Sequence, residues 1–177
     1  MRVITGKYKG RHFDVPRSFK ARPTTDFAKE NLFNVLNGYV DWGEQPTALD
    51  LFSGTGSITL ELLSRGCSQV VSVEKDRLHH SFIKGFLEKL GDEAGIAVCG
   101  DVFKYVMRCS EQFDIVFADP PYQLENLADL PDIVMARGLV KPDGLFILEH
   151  GKTYDFSDHP HFLEHRSYGS VNFSFFR

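Results

Sequence analysis

The stretch Asp119-Pro120-Pro121-Tyr122 closes the apolar run Phe113-Asp114-Ile115-Val116-Phe117-Ala118. Neither proline has an N–H for a strand ladder, so a buried strand must stop there with a carboxylate, two stiff residues and an aromatic ring at its tip. That set suits a planar exocyclic amine. The lone pair of a nucleobase amine is delocalised into its ring, which makes the nitrogen a poor nucleophile. A carboxylate on Asp119 and the carbonyl of Pro120 can accept its two N–H bonds and turn the nitrogen toward a tetrahedral shape. Pro120 and Pro121 keep the corner rigid, so little reorganisation is left for the moment of reaction. Tyr122 can stack on a flipped-out or single-stranded base, a contact worth about 1–3 kcal/mol.

A second group of residues surrounds Ser53-Gly54-Thr55-Gly56, where two glycines follow the apolar run "ALDLF". Glycines between a strand and a helix permit a tight turn and close approach of a ligand to the backbone. Asp50 lies just before this loop. Glu74, with the adjoining Lys75, comes twenty residues after Gly54 and can accept hydrogen bonds from ribose hydroxyls. Asp101, beside Val102, follows another strand and can meet an adenine amine, or else cap the helix that follows. A dinucleotide and S-adenosylmethionine compete for such a loop. The third glycine of the dinucleotide pattern is missing, with Thr59 at its place. A carboxylate at Asp50 repels a pyrophosphate and suits the ammonium and sulfonium charges of S-adenosylmethionine, unless it only stabilises the turn.

These residues need elements to hold them. From Thr47 onward, short apolar strands alternate with helical segments: "TALDLF", Ser57 to Ser64, "QVVSVE", Asp76 to Leu90, "GIAVCG", Asp101 to Cys109, "FDIVFAD", Leu127 to Arg137 and "GLFILEH". Such alternation predicts parallel βαβ units with helices on both faces of the sheet. The tail "FLEHRSYGSVNFSFFR" predicts an antiparallel hairpin around Gly169. In a strand order 3-2-1-4-5, the first and fourth strands flank the crevice where the order reverses, and ligands bind there. At the start, "MRVITGKYKGRHFDVP" predicts two short strands around a Gly6–Gly10 turn. "RPTTDFAKENLFNVLNG" predicts a helix capped by Thr24, Thr25 or Asp26, ended by Gly38, with Phe27, Leu32, Val35 and Leu36 on one face. The chain therefore divides into a basic β-hairpin extension over 1–20 and an α/β domain over 21–177.

Of the 177 residues, 42% are hydrophobic, enough for one domain with a sizeable core. The formal charge of −4 hides an asymmetry: residues 1–30 hold eight bases and three acids, the remainder twelve bases and twenty-one acids. A basic end on an acidic body points to a local anionic partner. Cys67, Cys99 and Cys109 form no C-x-x-C, which fits a reducing cytoplasm without disulfides or zinc. No stretch suits a signal peptide or a membrane span, so no membrane partner is expected.

The stretches "MRVITGKYKGR", "RPTTD", "LFNVL", "LDLFSGTGS", "LSRG", "VVSVEKD", "FDIVFADPPY", "GLVKPDG" and "LEHG" together resemble the RsmD family of bacterial 16S rRNA guanine-N2 methyltransferases, nearly end to end. The resemblance implies a Rossmann-like class I S-adenosylmethionine-dependent methyltransferase. Its mostly parallel seven-stranded sheet would carry a C-terminal antiparallel hairpin and a small N-terminal β-hairpin. It implies methyl transfer to the N2 amine of one guanine in 16S rRNA, within the small ribosomal subunit or an assembly intermediate, by a cytoplasmic monomer. By motif position it gives cofactor roles to Asp50, Ser53, Gly54, Gly56, Glu74, Lys75, Asp101 and Val102. Catalysis falls to Asp119, Pro120, Pro121 and Tyr122, with no metal. Arg2, Lys7, Lys9, Arg11 and Arg22 would hold RNA, mostly through phosphates, giving salt-dependent binding. Phe27 stands where the family usually has Arg, Phe86 where Asn is common, and Thr59 where a small residue is usual; the last two read as packing changes. The rival readings are an adenine-N6 methyltransferase on DNA or RNA, a non-catalytic RNA-binding assembly factor, and a nicotinamide-dependent oxidoreductase.

Overall fold

The computed structural model describes residues 1–177. Seven strands form one sheet: β1 (Thr47–Leu51), β2 (Gln69–Glu74), β3 (Gly95–Cys99), β4 (Phe113–Ala118), β5 (Val140–His150), β6 (Phe162–Tyr168) and β7 (Val171–Phe176). Their order is β3-β2-β1-β4-β5-β7-β6. The first five are parallel, and β7 runs antiparallel to both β5 and β6. The five helices are α1 (Asp26–Leu36), α2 (Ser57–Ser64), α3 (Arg77–Leu90), α4 (Val102–Arg108) and α5 (Leu130–Ala136). The expected sheet, its central order and the closing hairpin are all present.

Side chains alternate across the strands and so build two cores. Ala48, Val70, Ile115, Ile147 and Phe173 pack with α1, α2 and α3. Leu49, Val71, Val116, Phe146 and Phe176 pack on the other face with α4 and α5. The chain steps outward from β1 to β3 and then returns to place β4 beside β1, with Leu51 abreast of Ala118. The order reverses there, which opens a crevice at the carboxyl ends of β1 and β4.

The helix limits follow from capping. Thr25 caps α1 by accepting from the Ala28 N–H, and Asp76 caps α3 by accepting from Leu78 and His79. Gly91, at φ 62°, ends α3 in the left-handed conformation. The buried face of α1 is Ala28, Lys29, Leu32, Phe33 and Leu36; Phe27 is not on it but stands exposed, its ring edge-on to Tyr168. The helix turns at about 100° per residue, which puts Phe27 beside Asn31 and Asn34 rather than Leu32. Phe86 is fully buried against Phe13 and Phe82 and serves packing, as expected.

The N-terminal segment forms the expected hairpin in minimal form. Arg2 bridges His12, flanked by hydrogen bonds from the Val3 N–H to the Arg11 carbonyl and from the Phe13 N–H to the Met1 carbonyl, both at 3.0 Å. The donors around its turn go to α2: Ile4 and Thr5 donate to the Glu61 carboxylate at 2.9 and 3.0 Å, and Lys7 and Tyr8 donate to the Ser64 carbonyl and hydroxyl at 2.8 and 3.0 Å. Helix α2 thus holds the turn of the hairpin. Val3 and Phe13 enter the main core, so the segment is sewn onto the sheet domain.

Candidate active site

The loop after β1 winds tightly. Phe52, Gly54 and Gly56 all have positive φ, at 58°, 57° and 79°. A side chain at Gly56 would come within 2.8 Å of Ile83 and Phe86, so glycine there lets α2 close against α3. A Cβ at Gly54 would meet only the Ala21 methyl, at 3.4 Å. The segment before α1 therefore lies across the glycine loop.

The carboxyls around this loop are held by its own backbone. Glu74 accepts the Gly54 N–H at 2.7 Å and the Asp76 N–H at 2.9 Å, tying the turns after β1 and β2 together. Ser53 donates its hydroxyl to the carbonyls of Asp50 and Val73. Asp50 is buried, and its Oδ2 accepts from the Thr59 amide at 3.1 Å and hydroxyl at 2.6 Å. Burial pushes the Asp50 carboxyl up to about 7, against the lowering effect of the Thr59 hydrogen bonds, with Asp119 and Glu74 adding repulsion. Turn stabilisation is thus the visible task of Asp50, and Thr59 is its partner. Asp101 caps α4 through the Lys104 N–H at 3.0 Å; its neighbour Val102 is buried, and Lys75 is exposed.

At the neighbouring strand end, the Asp119 N–H reaches back to the Leu51 carbonyl at 3.3 Å, which closes the ladder between β4 and β1. Pro120 is buried, Pro121 is exposed, and Tyr122 stands 61% exposed at the rim. The glycine loop and the Asp-Pro-Pro-Tyr corner therefore occupy the carboxyl ends of adjacent strands. Glu149, at the end of β5, was not singled out from the sequence. It is buried, its Oε2 has no hydrogen-bond partner, and it lies one residue beyond the Ala118–Leu148 register pair, abreast of Asp119. The signal was an acid at the end of the apolar strand "GLFILEH".

The basic residues of the N-terminal segment spread along the length of α2. Arg2 is near its start and forms an ion pair with Asp26 at 3.1 Å. Lys7 is near its end, paired with Asp92 at 3.0 Å. Eight residues of helix, about 12 Å, separate those ends. Lys9 and Arg11 are exposed on the same segment, while Arg22 donates to the Phe19 and Ala21 carbonyls beside the glycine loop. Lys29, one of the eight bases, is fully buried.

The acids Asp50, Glu74 and Asp101 at the ends of three successive strands suit a ligand with amine, hydroxyl and cationic groups, and oppose a pyrophosphate. A model of the family described as "Conserved hypothetical protein 95" matches residues 1–177. Ribosomal RNA small subunit methyltransferase D of Haemophilus influenzae is 31% identical over 156 residues, covering 86% of this chain and 79% of that protein. The Escherichia coli K12 protein of the same name is 30% identical over 150 residues, covering 84% and 74%. Among solved structures, a hypothetical protein of Thermus thermophilus superposes with a TM-score of 0.82 at 30% identity, covering 100% of this chain and 99% of that one. No helix is long and apolar enough to cross a membrane.

Proposed function

The chain belongs to the conserved hypothetical protein 95 family, the RsmD family that its motifs resemble, and from that premise we propose that it methylates the exocyclic N2 amine of a guanine in 16S rRNA. The observation that carries this reading is the placement of the glycine loop and the Asp119–Tyr122 corner at the carboxyl ends of adjacent parallel strands. The substrate is the RNA of the small subunit or of its assembly intermediate, and the enzyme acts as a cytoplasmic monomer.

S-adenosylmethionine, when bound, supplies a methyl group on a sulfonium. The residues that would hold it are the loop from Ser53 to Gly56, with Asp50, Glu74, Lys75, Asp101 and Val102. The corner does the rest. The Asp119 carboxylate and Pro120 carbonyl accept the two N–H bonds of the amine and aim its lone pair. The prolines fix both acceptors before the substrate arrives, so orientation is already in place. Tyr122 stacks on the base and covers it from water. Arg2, Lys7, Lys9, Arg11 and Arg22 hold phosphates, with Arg22 nearest the glycine loop.

The test is methyl transfer to small subunits lacking the modification and to free 16S rRNA, followed by digestion to nucleosides. N2-methylguanosine is the expected product, and N6-methyladenosine would reject the reading. Asp119→Ala should lower kcat by about 10²–10³-fold, the scale of losing a transition-state contact, and leave cofactor affinity unchanged.

A further inference from the structure

The register that sets Ala118 beside Leu148 brings the next residues, Asp119 and Glu149, abreast on the sheet face that carries Phe117 and Ile147. The two carboxyls lie within hydrogen-bonding reach of each other. Glu149 is 7% exposed and its Oε2 has no donor. The surroundings offer no cation. From β7 the residue opposite Glu149 is Phe173. From β1 comes Asp50, itself an acid, and from the loop after β4 comes Tyr122. The adjacent His150 belongs to the other face, with its Nε2 at 2.7 Å from the Ser174 hydroxyl. Two anions cannot sit in contact in such a place, so the pair keeps a proton between them.

We infer that Glu149 is a positioning residue of the amine-binding corner: it holds the shared proton, donates it to Asp119, and so keeps Asp119 an acceptor toward the substrate amine. The inference rests on the proposed methyl transfer. Burial pushes both carboxyls up, Glu149 to about 7 and Asp119 well above the ordinary carboxylate range; the Glu149 charge raises Asp119 further, while the hydrogen bond with Asp119 lowers Glu149, so before substrate arrives the proton rests on Asp119. An incoming amine can only donate to Asp119, so its arrival selects the arrangement with the proton on Glu149. The alkylated nitrogen then carries one proton more than the neutral product. That proton passes to the Asp119 carboxylate: the N–H bond breaks, an O–H bond forms, and the pair is neutral with two protons until one leaves to water. The pair therefore serves as both orienter and proton store.

Infrared spectra of the ligand-free protein and kinetics with unmodified small subunits test this together. At about pH 8 the wild type should show a protonated carboxyl band that Asp119→Asn removes and whose titration Glu149→Gln moves to lower pH, because burial still raises Asp119 once its like-charged neighbour is gone. Glu149→Leu should lower kcat by about 10- to 100-fold, the worth of a hydrogen bond to a charged group, with KM for the subunit little changed. Glu149→Gln should recover most of that loss, since the amide still donates to Asp119. It should also abolish the alkaline limb of the pH–rate profile that loss of the shared proton sets, since the amide has no such proton to lose. A wild-type band absent at about pH 8, wild-type kcat in Glu149→Leu, or an unmoved alkaline limb in Glu149→Gln would each overturn the inference. The isosteric Glu149→Gln keeps the test decisive if the leucine variant does not fold. A nucleoside other than N2-methylguanosine would reject the guanine reading without touching the band, so the two failures are distinct.

Discussion

Lys29 is the residue whose environment differs most from its type. Its side chain is enclosed between α1 and α2, where Nζ donates to the Arg2 carbonyl at 2.5 Å and the Ser57 hydroxyl at 3.1 Å and lies 3.9 Å from the Glu61 carboxylate. Burial holds its ammonium below the usual lysine value, with Glu61 and Asp26 opposing that shift. Glu61 is equally enclosed and is also held by Arg65 at 3.0 Å. Removing one member of such a network strands the others away from water. Lys29→Met should therefore cost about 3 kcal/mol in a urea titration, although methionine fits the space and hydrophobicity favours it. A cost under about 0.5 kcal/mol, the range of a surface change, would show the ammonium to be dispensable. A sequence counts charge without knowing depth, so Lys29 reads there as part of a basic surface.

At the scale of elements, α2 does two jobs. Its start carries the glycine loop, and its end anchors the N-terminal segment through Glu61 and Ser64. Gly6 is the tightest point: its φ is +99°, and a Cβ there would fall 2.0 Å from the Ser64 carbonyl oxygen. Neither backbone can yield without breaking the Lys7–Ser64 hydrogen bond. Gly6→Ala should detach residues near the turn, seen as early cleavage after Arg2, Lys7 or Lys9 in limited trypsin digestion, while Gly10→Ala, with open space around it, should resist longer. The βα alternation was legible because each central strand is a short apolar run and turn or capping residues such as Gly56, Asp76 and Gly91 separate strands from helices. The corner was legible too, since Asp-Pro-Pro-Tyr ends a strand in any context. The docking of the hairpin's turn on α2 was not, because a carboxylate fifty-six residues away takes the turn's donors, and local pattern contains no such distance. Glu149 was hidden for a related reason: its partner lies on another strand, and only the register joins them.

Across the whole molecule, the carboxyl end of the sheet gathers acids that are pushed up by burial: Asp50, Asp119 and Glu149. Each binds a proton in the folded chain at a pH where the unfolded chain has released it. Their contribution to stability is thus fully present below the unfolded carboxylate value of 3.8 for Asp50 and is lost as pH rises through about 7. Acids held low, such as Asp92 with Tyr8 and Lys7, or Asp114 with Thr47 and Lys141, act in the opposite sense, but their window lies below their ordinary value of 3.8. His150, held low by burial from 6.5, gains stability as pH rises and offsets part of the fall. The ligand-free protein should therefore melt at lower temperature at about pH 8 than at about pH 5, each kcal/mol lost lowering Tm by about 2–4 °C for a chain of this size. Asp50→Asn should flatten that dependence, because the amide keeps an oxygen for Thr59 and has no proton to lose. Calorimetry across the range gives the slope directly, and a variant that retains the full wild-type slope would remove Asp50 as its source. The same burial that makes this end of the sheet costly to ionise keeps its acceptors fixed, so the region where binding and transfer are proposed is also where the fold responds most to pH.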